Sequence, residues 1–172
     1  MTQLLFNNEI YTKVIHEKIP MAREFVWIAT ADIKDMYVAD GLTMKPFLGV
    51  LASLIAHKVE VRLMHAKEPG PNFRKDFDKY PLLFNSMERM LCPRVHYKII
   101  IIDGITAYTG SANLTGAGMG AKGDNNRNFE NGLLTSDPDL VAQLMEQFDC
   151  VWRGDFCRPC KRKAYCGDCP IK

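Results

Sequence analysis

A histidine, a lysine and an aspartate flank one of the most apolar segments of this chain. In the stretch VHYKIIIIDGITAYTGSANLT, His96 and Lys98 precede four isoleucines and Asp103 follows them. A hydroxyl and a carboxamide, from Ser111 and Asn113, come shortly afterwards. Such a set suits a phosphate group, because it offers a nucleophile or base, a cation and several hydrogen-bond donors for one small volume.

A β-hairpin would bring these residues together. Asp103-Gly104 is typical of a tight turn, and it joins strands that we predict over 95–102 and 105–109. The histidine and the lysine then face the same side, because residues two apart on a strand do so. The exit of the second strand would lie beside them. The aspartate faces the other way or into the turn, so we expect it to have a structural part, paired with backbone donors or a cation.

The rest of the chain alternates helix and strand. Apolar residues at helical spacing predict helices, and short β-branched or alternating runs predict strands. The predicted helices cover 8–18, 44–57, one or two short segments within 73–90, and 138–151, and the predicted strands cover 24–31, 59–64, 95–102, 105–109 and 129–135. This order implies an α/β fold with a mixed β-sheet flanked by helices. A glycine-rich stretch over 116–127 has no periodicity, and we expect it to be a mobile loop beside the site.

Length and composition are those of an ordinary soluble globular protein. The chain has 172 residues, of which 47% are hydrophobic and 24% are charged, and this is enough to bury one core. No run approaches the roughly 18 consecutive apolar residues that a membrane span needs. The N-terminus lacks the basic start and the apolar core of a secretory signal, so we expect a cytoplasmic protein.

The charge is divided unevenly along the chain. Six basic and two acidic residues give the segment from Val151 to Lys172 a net charge of +4, which leaves −2 on the remainder because the whole chain carries +2. A basic tail on a mildly acidic body could guide a polyanion, and it could equally be a solvated C-terminus.

Five of the six cysteines lie at or after position 150. Cys157 and Cys160 form one C-x-x-C pair, and Cys166 and Cys169 form a second pair after a gap of five residues. Four thiolates at such spacing are typical of a structural zinc site with tetrahedral coordination. Disulfides or an iron–sulfur cluster would use the same residues, so both alternatives stay open.

The spacing around His96 resembles that of the phospholipase D superfamily. Its members carry H-x-K-x-x-x-x-D, then six residues, then G-[GS]-x-N. Every fixed position is matched here, by His96, Lys98, Asp103, Gly110, Ser111 and Asn113. A chance match in a chain of this size is rarer than about one in ten thousand at average residue usage. The resemblance covers residues 1–152 as a phospholipase D-like phosphodiesterase domain. We expect residues 153–172 to form a small Cys-rich, zinc-binding tail outside it.

The resemblance implies a role for each matched position. His96 would attack phosphorus and form a covalent phosphohistidine, since a neutral imidazole is nucleophilic and leaves readily when protonated. Lys98 and Asn113 would hold the non-bridging oxygens, and Ser111 would add a hydroxyl donor. Glu130, at the start of the strand after the motif, would hold the second ring nitrogen of the histidine. The resemblance implies no metal or other cofactor for catalysis.

A single copy of the motif implies a homodimer. Members of the superfamily place two copies face to face, so that one histidine attacks while the other protonates the leaving oxygen. This chain has one copy, so the second histidine would come from another subunit across a two-fold axis.

Nucleic acid is the substrate that we favour. Many small single-motif members of the superfamily are nucleases, and Lys161, Arg162 and Lys163 of the tail offer phosphate contacts. A phospholipase D or phosphatidyl transferase acting on membrane lipid is the alternative, although no amphipathic anchoring segment is evident. A nucleic-acid-binding module without turnover ranks last, because every motif residue is intact.

Overall fold

A seven-stranded mixed β-sheet forms the centre of the molecule. The computed structural model describes residues 1–170. The strands along the chain are β1 Thr2–Phe6, β2 Phe25–Thr30, β3 Tyr37–Asp40, β4 Thr43–Pro46, β5 Glu60–His65, β6 Glu88–Leu91, β7 Ile99–Ile102, β8 Thr106–Gly110 and β9 Asn131–Thr135. Their order in the large sheet is β1-β9-β8-β7-β2-β5-β6, and β3 pairs separately with β4. β2, β5 and β6 run parallel and the other neighbours run antiparallel, which confirms the predicted mixed sheet.

Helices cover both faces of the sheet. They are α1 Asn8–Ile10, continued by a π-helix over Tyr11–Lys18 and a 3-10 turn over Ile19–Met21, then α2 Phe47–Ala56, α3 Pro71–Phe77, α4 Pro81–Ser86 and α5 Pro138–Trp152, with a last 3-10 turn over Lys163–Tyr165. The carboxylate of Asp137 caps α5 by accepting from the backbone N–H groups of Asp139 and Leu140 at 3.0 and 3.1 Å. Within residues 1–170, no helix combines the length and the apolar character that crossing a bilayer requires.

The four isoleucines of β7 are buried on both faces of the sheet. Ile100 and Ile102 belong to the larger core, which includes residues of α2, and Ile99 and Ile101 belong to the core beneath α5. A strand that is covered on both sides needs apolar residues at every position, which explains the unbroken run. The polar residues of the motif therefore stand at the two ends of this strand.

Asp103 ties the β7–β8 turn to the start of β2. Its carboxylate accepts hydrogen bonds of 2.8 to 3.1 Å from the backbone N–H groups of Arg23, Glu24 and Phe25. Asp103 and Gly104 have positive φ angles of 54° and 63°, as a type I′ turn requires. Asp103 therefore lies at the opposite end of β7 from His96. It has the structural role that was expected for it, and its partners are backbone N–H donors.

Four strands form where sequence patterning predicted none. β1 and β6 are the two edges of the large sheet, and β3 and β4 form a separate hairpin. Edge strands have one open side, so their residues carry a weaker apolar pattern. Because Thr43–Pro46 pairs as β4, the helix predicted from Met44 begins at Phe47 instead. The strand predicted from Val95 begins at Ile99, so the histidine and the lysine of the motif precede it.

The glycine-rich loop after the motif packs against the body over its first half. Met119 is 2% exposed, and Gly118 and Gly120 are buried beside it. Gly120 has a φ of 81°, and a Cβ there would lie 2.7 Å from the carbonyl oxygen of Asn7. Residues 122–126 are exposed. The loop predicted to be mobile is thus, in its first half, a packed part of the fold.

The Cys-rich tail docks on the segment between β6 and β7. The carboxylate of Asp168 accepts from the backbone N–H of Leu91 at 2.9 Å, and the guanidinium of Arg162 donates to the carbonyl of Pro93 at 3.1 Å. The thiol of Cys166 lies 3.4 Å from the carbonyl oxygen of Leu91. The same segment leads directly to His96, so the tail lies beside the motif.

Candidate active site

The polar residues of the motif other than Asp103 lie at one end of the central strands. The N–H of Gly110, at the end of β8, donates to the carbonyl of Lys98, just before β7, at 3.3 Å. The N–H of Ser111 donates to the carbonyl of Asn131, at the start of β9, at 2.9 Å. β2 runs antiparallel to β7, so its carboxyl end reaches the same edge. Four strand ends therefore surround the volume in which the motif residues meet.

His96 presents its imidazole at the surface. The residue is exposed and stands in the segment that leads into β7. Within the part of the chain that the structure describes, no hydrogen bond reaches its ring, and only its carbonyl oxygen is engaged, by the ammonium of Lys98 at 2.8 Å. A nucleophile needs this access, because an incoming phosphorus atom must approach a free ring nitrogen.

Lys98 is a buried cation that has no carboxylate partner among the described residues. The residue is 8% exposed. Its ammonium donates one hydrogen bond, to the carbonyl of His96, and no salt bridge within residues 1–170 includes it. Burying a charge is costly unless an opposite charge or a full set of hydrogen bonds compensates it. Two of the three N–H donors of Lys98 therefore stay available for an anion beside His96.

Asn113 is oriented by the end of β2. Its side-chain oxygen accepts from the backbone N–H of Asp32 at 3.1 Å and lies 3.4 Å from the hydroxyl of Thr30. This assignment of the amide follows from the hydrogen-bond network, since oxygen and nitrogen differ only in their partners. With its oxygen committed to the backbone, the amide directs its NH₂ group away as a donor. The residue can thus hold a phosphate oxygen.

The carboxylate of Glu130 contacts Ser111 and Asn128. Ser111 donates its hydroxyl to one oxygen of Glu130 in a short hydrogen bond, and the amide of Asn128 donates to the other at 3.0 Å. Sequence reasoning expected this carboxylate on the ring of His96, and in this structure the serine hydroxyl holds it instead. Ser111 also accepts from the backbone N–H of Asn131 at 3.1 Å. The serine and the glutamate therefore act as one hydrogen-bonded unit at the start of β9.

Gly110 is required by the packing of Tyr108. A Cβ at Gly110 would lie 2.5 Å from the Tyr108 hydroxyl and 2.5 Å from the carbonyl of Asn131. Gly132, directly opposite Gly110 on β9, likewise faces the Tyr108 ring. Burial raises the pKa of the Tyr108 phenol, and the nearby Glu130 carboxylate raises it further. The phenol therefore stays neutral beneath the motif, and the glycine lets β8 and β9 come together there.

Sequence reasoning missed the residues that position the motif. The hydroxyl of Thr30 donates to the carbonyl of Asp32 at 2.8 Å and accepts from the N–H of Leu114 at 3.0 Å, which fixes the chain next to Asn113. The side chain of Asn7 accepts from the N–H of Glu130 at 3.1 Å. The polar residues at the end of β2 could have indicated the positioning role of Thr30, because polar groups at the carboxyl end of a buried strand often line a site.

None of the other three histidines combines an exposed ring with a place at this end of the sheet. His65 is 3% exposed, its Nδ1 lies 2.7 Å from the carbonyl of Lys67, and burial lowers its pKa. His57 follows α2, with its Nδ1 2.8 Å from the carbonyl of Ser53, and His16 is in the π-helix that follows α1. His65 is thus a buried structural residue at the end of β5.

The six cysteines of the chain line one cavity between the tail, the segment before His96 and α5. No disulfide joins any of them within residues 1–170. Burial raises the pKa of Cys157 to about 11, whereas the backbone N–H of Arg162 lowers the pKa of Cys160. The donor set is that of a zinc site, but within residues 1–170 no three Cys, His, Asp or Glu side chains are placed to hold a metal ion. Zinc at Cys157, Cys160, Cys166 and Cys169 stays a prediction.

Comparison with known proteins places most of the chain in one family. The family model described as "Cardiolipin synthase, PLD-like domain" matches residues 15–152. The mitochondrial cardiolipin hydrolase of Chlamydomonas reinhardtii is 30% identical over 95 residues, which are 55% of this chain and 40% of that protein. The chain thus spans less than half the length of this curated relative. The Cys-rich tail lies outside the matched family domain.

Solved structures show the same fold. Nuc from Salmonella typhimurium, a phospholipase D family member, has a TM-score of 0.65 at 17% identity, over 89% of this chain and 94% of that one. NucT from Helicobacter pylori has a TM-score of 0.63 at 17% identity, over 87% and 93% of the two chains. Phosphatidylserine synthase from Haemophilus influenzae has a TM-score of 0.61 at 13% identity, over 84% of this chain and 35% of that one. The motif, the sheet and the family match agree, and the chain belongs to the phospholipase D superfamily of phosphodiesterases.

Proposed function

We propose that this chain hydrolyses phosphodiester bonds in nucleic acid through a covalent intermediate on His96. The observation that carries the proposal is the buried ammonium of Lys98, which has no carboxylate partner among the described residues and lies 2.8 Å from the carbonyl of His96. A phosphate bound against the exposed imidazole would supply the missing negative charge. The donors of Lys98 and Asn113 would then stabilise the charge that develops on the phosphate oxygens.

The reaction has two displacement steps. A ring nitrogen of His96 attacks phosphorus, a bond to the leaving oxygen breaks, and that oxygen takes a proton. Water then attacks phosphorus, the phosphorus–nitrogen bond breaks, and the imidazole is released. Lys98 and Asn113 provide positive charge and hydrogen bonds to both transition states, so we assign no catalytic metal.

A homodimer would supply the proton for the leaving oxygen. His65 is buried, and His57 and His16 lie on other elements, so no second histidine of the same chain is suitably placed. In a two-fold arrangement, His96 of the partner subunit would donate that proton in the first step and accept one from water in the second.

Nucleic acid is the substrate that the surroundings of His96 favour. The basic tail docks next to the histidine through contacts of Asp168 and Arg162 with the segment before it. Nuc and NucT share the fold, although their low identity says nothing of specificity. Lipid is the second candidate, because the matched family model and the curated relative are both named for cardiolipin.

The direct test is a substrate panel measured with EDTA present. Purified protein would be incubated with bis(p-nitrophenyl) phosphate, plasmid, single-stranded DNA, RNA and labelled cardiolipin. We expect cleavage of the small diester and of at least one nucleic acid. Cleavage of cardiolipin alone would replace nucleic acid with lipid, and the absence of any hydrolysis would refute the phosphodiesterase assignment.

A further inference from the structure

A groove with a basic lining begins at His96 and runs along the tail. Its volume is about 630 Å³, and it lies between the end of β5, the segment before β7 and the tail. Its lining residues are Ala66, Lys67, Pro93, Arg94, Val95, His96, Pro159, Cys160, Lys161 and Arg162. Two walls come from the family domain and one comes from the tail, which the family match does not cover.

No carboxylate balances the positive charge of the groove among the described residues. Four of its lining residues are permanent cations, namely Lys67, Arg94, Lys161 and Arg162, and no carboxylate lines it in the part of the chain that the structure describes. None of these cations takes part in a salt bridge within residues 1–170. Like charges repel across so small a space. Their convergence is therefore favourable only when an anion neutralises them.

Specific contacts hold both walls in place. On one side, the imidazole of His65 lies 2.7 Å from the carbonyl of Lys67, which fixes the turn after β5. On the other side, the guanidinium of Arg162 donates to the carbonyl of Pro93 at 3.1 Å, and Asp168 accepts from the N–H of Leu91 at 2.9 Å. The cations are thus carried by anchored backbone, and the ligand need not order them.

We infer that this groove binds the phosphates of a nucleic-acid strand next to the one that is cleaved, with the tail as one wall of the substrate site. The inference rests on the proposed function and adds to it the path of the substrate away from His96. Four cations beyond Lys98 exceed what a single phosphodiester headgroup can neutralise, whereas a strand supplies a phosphate at every nucleotide. Tyr165 of the tail, 76% exposed, offers a ring on which a base can stack.

Binding to catalytically dead protein tests this directly. In a His96→Ala background, the affinity for a labelled single-stranded oligonucleotide would be measured at several salt concentrations. Each lost phosphate contact lowers the slope of log affinity against log salt by about 0.7 for single strands. Lys67→Gln/Arg94→Gln should therefore lower the slope by about 1.4 and weaken binding about 25-fold at 0.1 M salt.

The matched control also removes one arginine and one lysine charge, but at the opposite end of the sheet. Arg23 and Lys58 are exposed and precede β2 and β5, whereas the groove lies beyond the end of β5. Arg23→Gln/Lys58→Gln should leave the slope unchanged. The tail has its own pair, and Lys161→Gln should lower the slope by about 0.7. The sequence suggested phosphate contacts for Lys163 as well, but this residue lines the cysteine cavity and not the groove, so Lys163→Gln should leave the slope unchanged.

The inference is overturned if the groove variants bind the oligonucleotide as their controls do. It is also overturned if vesicles of phosphatidylcholine and phosphatidylglycerol in equal parts bind in place of the oligonucleotide and lose binding in the same variants. Failure of the proposed function is a separate result. If wild-type protein hydrolyses no phosphodiester while the groove variants still lose oligonucleotide binding, the groove stands and the catalytic assignment falls.

Discussion

The ammonium of Lys98 donates to the carbonyl oxygen of His96 at 2.8 Å, so the buried cation of the motif is anchored on the backbone of the exposed nucleophile candidate. This contact fixes the position of the charge without neutralising it. A phosphate that reaches the imidazole therefore also reaches the ammonium.

Replacing His96 by alanine should abolish phosphodiester hydrolysis and leave the fold intact. The imidazole is exposed and makes no hydrogen bond within the described residues, so its loss removes the nucleophile but no packing. Hydrolysis and thermal unfolding of the variant should be compared with those of His16→Ala, which removes another exposed histidine. Turnover near the wild-type level in His96→Ala would exclude the phosphohistidine.

Replacing Lys98 by methionine should reduce kcat/KM by about 100-fold or more, as removal of a donor to the transition state does in other enzymes. The same change should not destabilise the protein, because it removes a buried charge that lacks a carboxylate partner. Urea unfolding would measure this. A marked loss of stability would mean that Lys98 is structural.

Lys79 provides the contrasting case. Its ammonium lies 2.6 Å from the carboxylate of Asp76, which is 4% exposed. Lys79→Met should destabilise the protein, because among the described residues it leaves this buried carboxylate with the Tyr37 hydroxyl, 3.4 Å away, as its one side-chain partner. Turnover of the folded fraction should persist.

Wild-type activity should be suppressed by inactive subunits. If each site uses the histidines of two chains, a heterodimer of wild type and His96→Ala has no complete site. Co-expression with an excess of His96→Ala should therefore lower activity below the share of wild-type chains, whereas co-expression with His16→Ala should not. Sedimentation velocity should show a dimer. Activity in strict proportion to wild-type chains would require a one-histidine mechanism.

The tail should bind one zinc ion per chain through Cys157, Cys160, Cys166 and Cys169. All four thiols line one cavity, and a short segment rich in charged residues gains folding energy from a metal. Elemental analysis of reduced protein should give one zinc, and Cys160→Ser should lower that content. An iron-containing preparation or a zinc-free one would refute this assignment. Because four thiolates leave no open position, the metal would hold the tail and not take part in the chemistry.

The free energy of unfolding should decrease as the pH is lowered, because of His65. Burial lowers the pKa of this imidazole below its unfolded value, near 6.5, so the unfolded chain binds the additional proton. The neutral ring thus contributes stability that is complete above about pH 6.5 and is lost as the pH falls through the folded pKa. Urea unfolding across this range should show a shallower loss in His65→Gln than in wild type. Equal slopes would mean that the ring stays solvated.

Local sequence patterns were sufficient to predict the central strands and most helices. The β7–β8 hairpin follows from a run of β-branched residues and an Asp-Gly turn. The one or two short helices predicted within 73–90 correspond to α3 and α4, and Pro81 is the first residue of α4. Edge strands β1 and β6 were not predictable in this way, because each exists through pairing with a strand that is distant in sequence or separated by helices. The β-propensity of a five-residue segment does not identify the strand with which it pairs.

The sequence by itself determined the motif, the hairpin and the position of Asp103, since all three depend on spacing along one strand and on one turn. Only the tertiary structure decided that Glu130 contacts Ser111 and not His96, and that the tail meets Lys67 and Arg94 beside the histidine. The reason is physical: the geometry of a strand is set by its own backbone, whereas these contacts join residues from different strands and from the tail. They depend on strand order and on where the tail docks, and both are set by packing across the whole molecule.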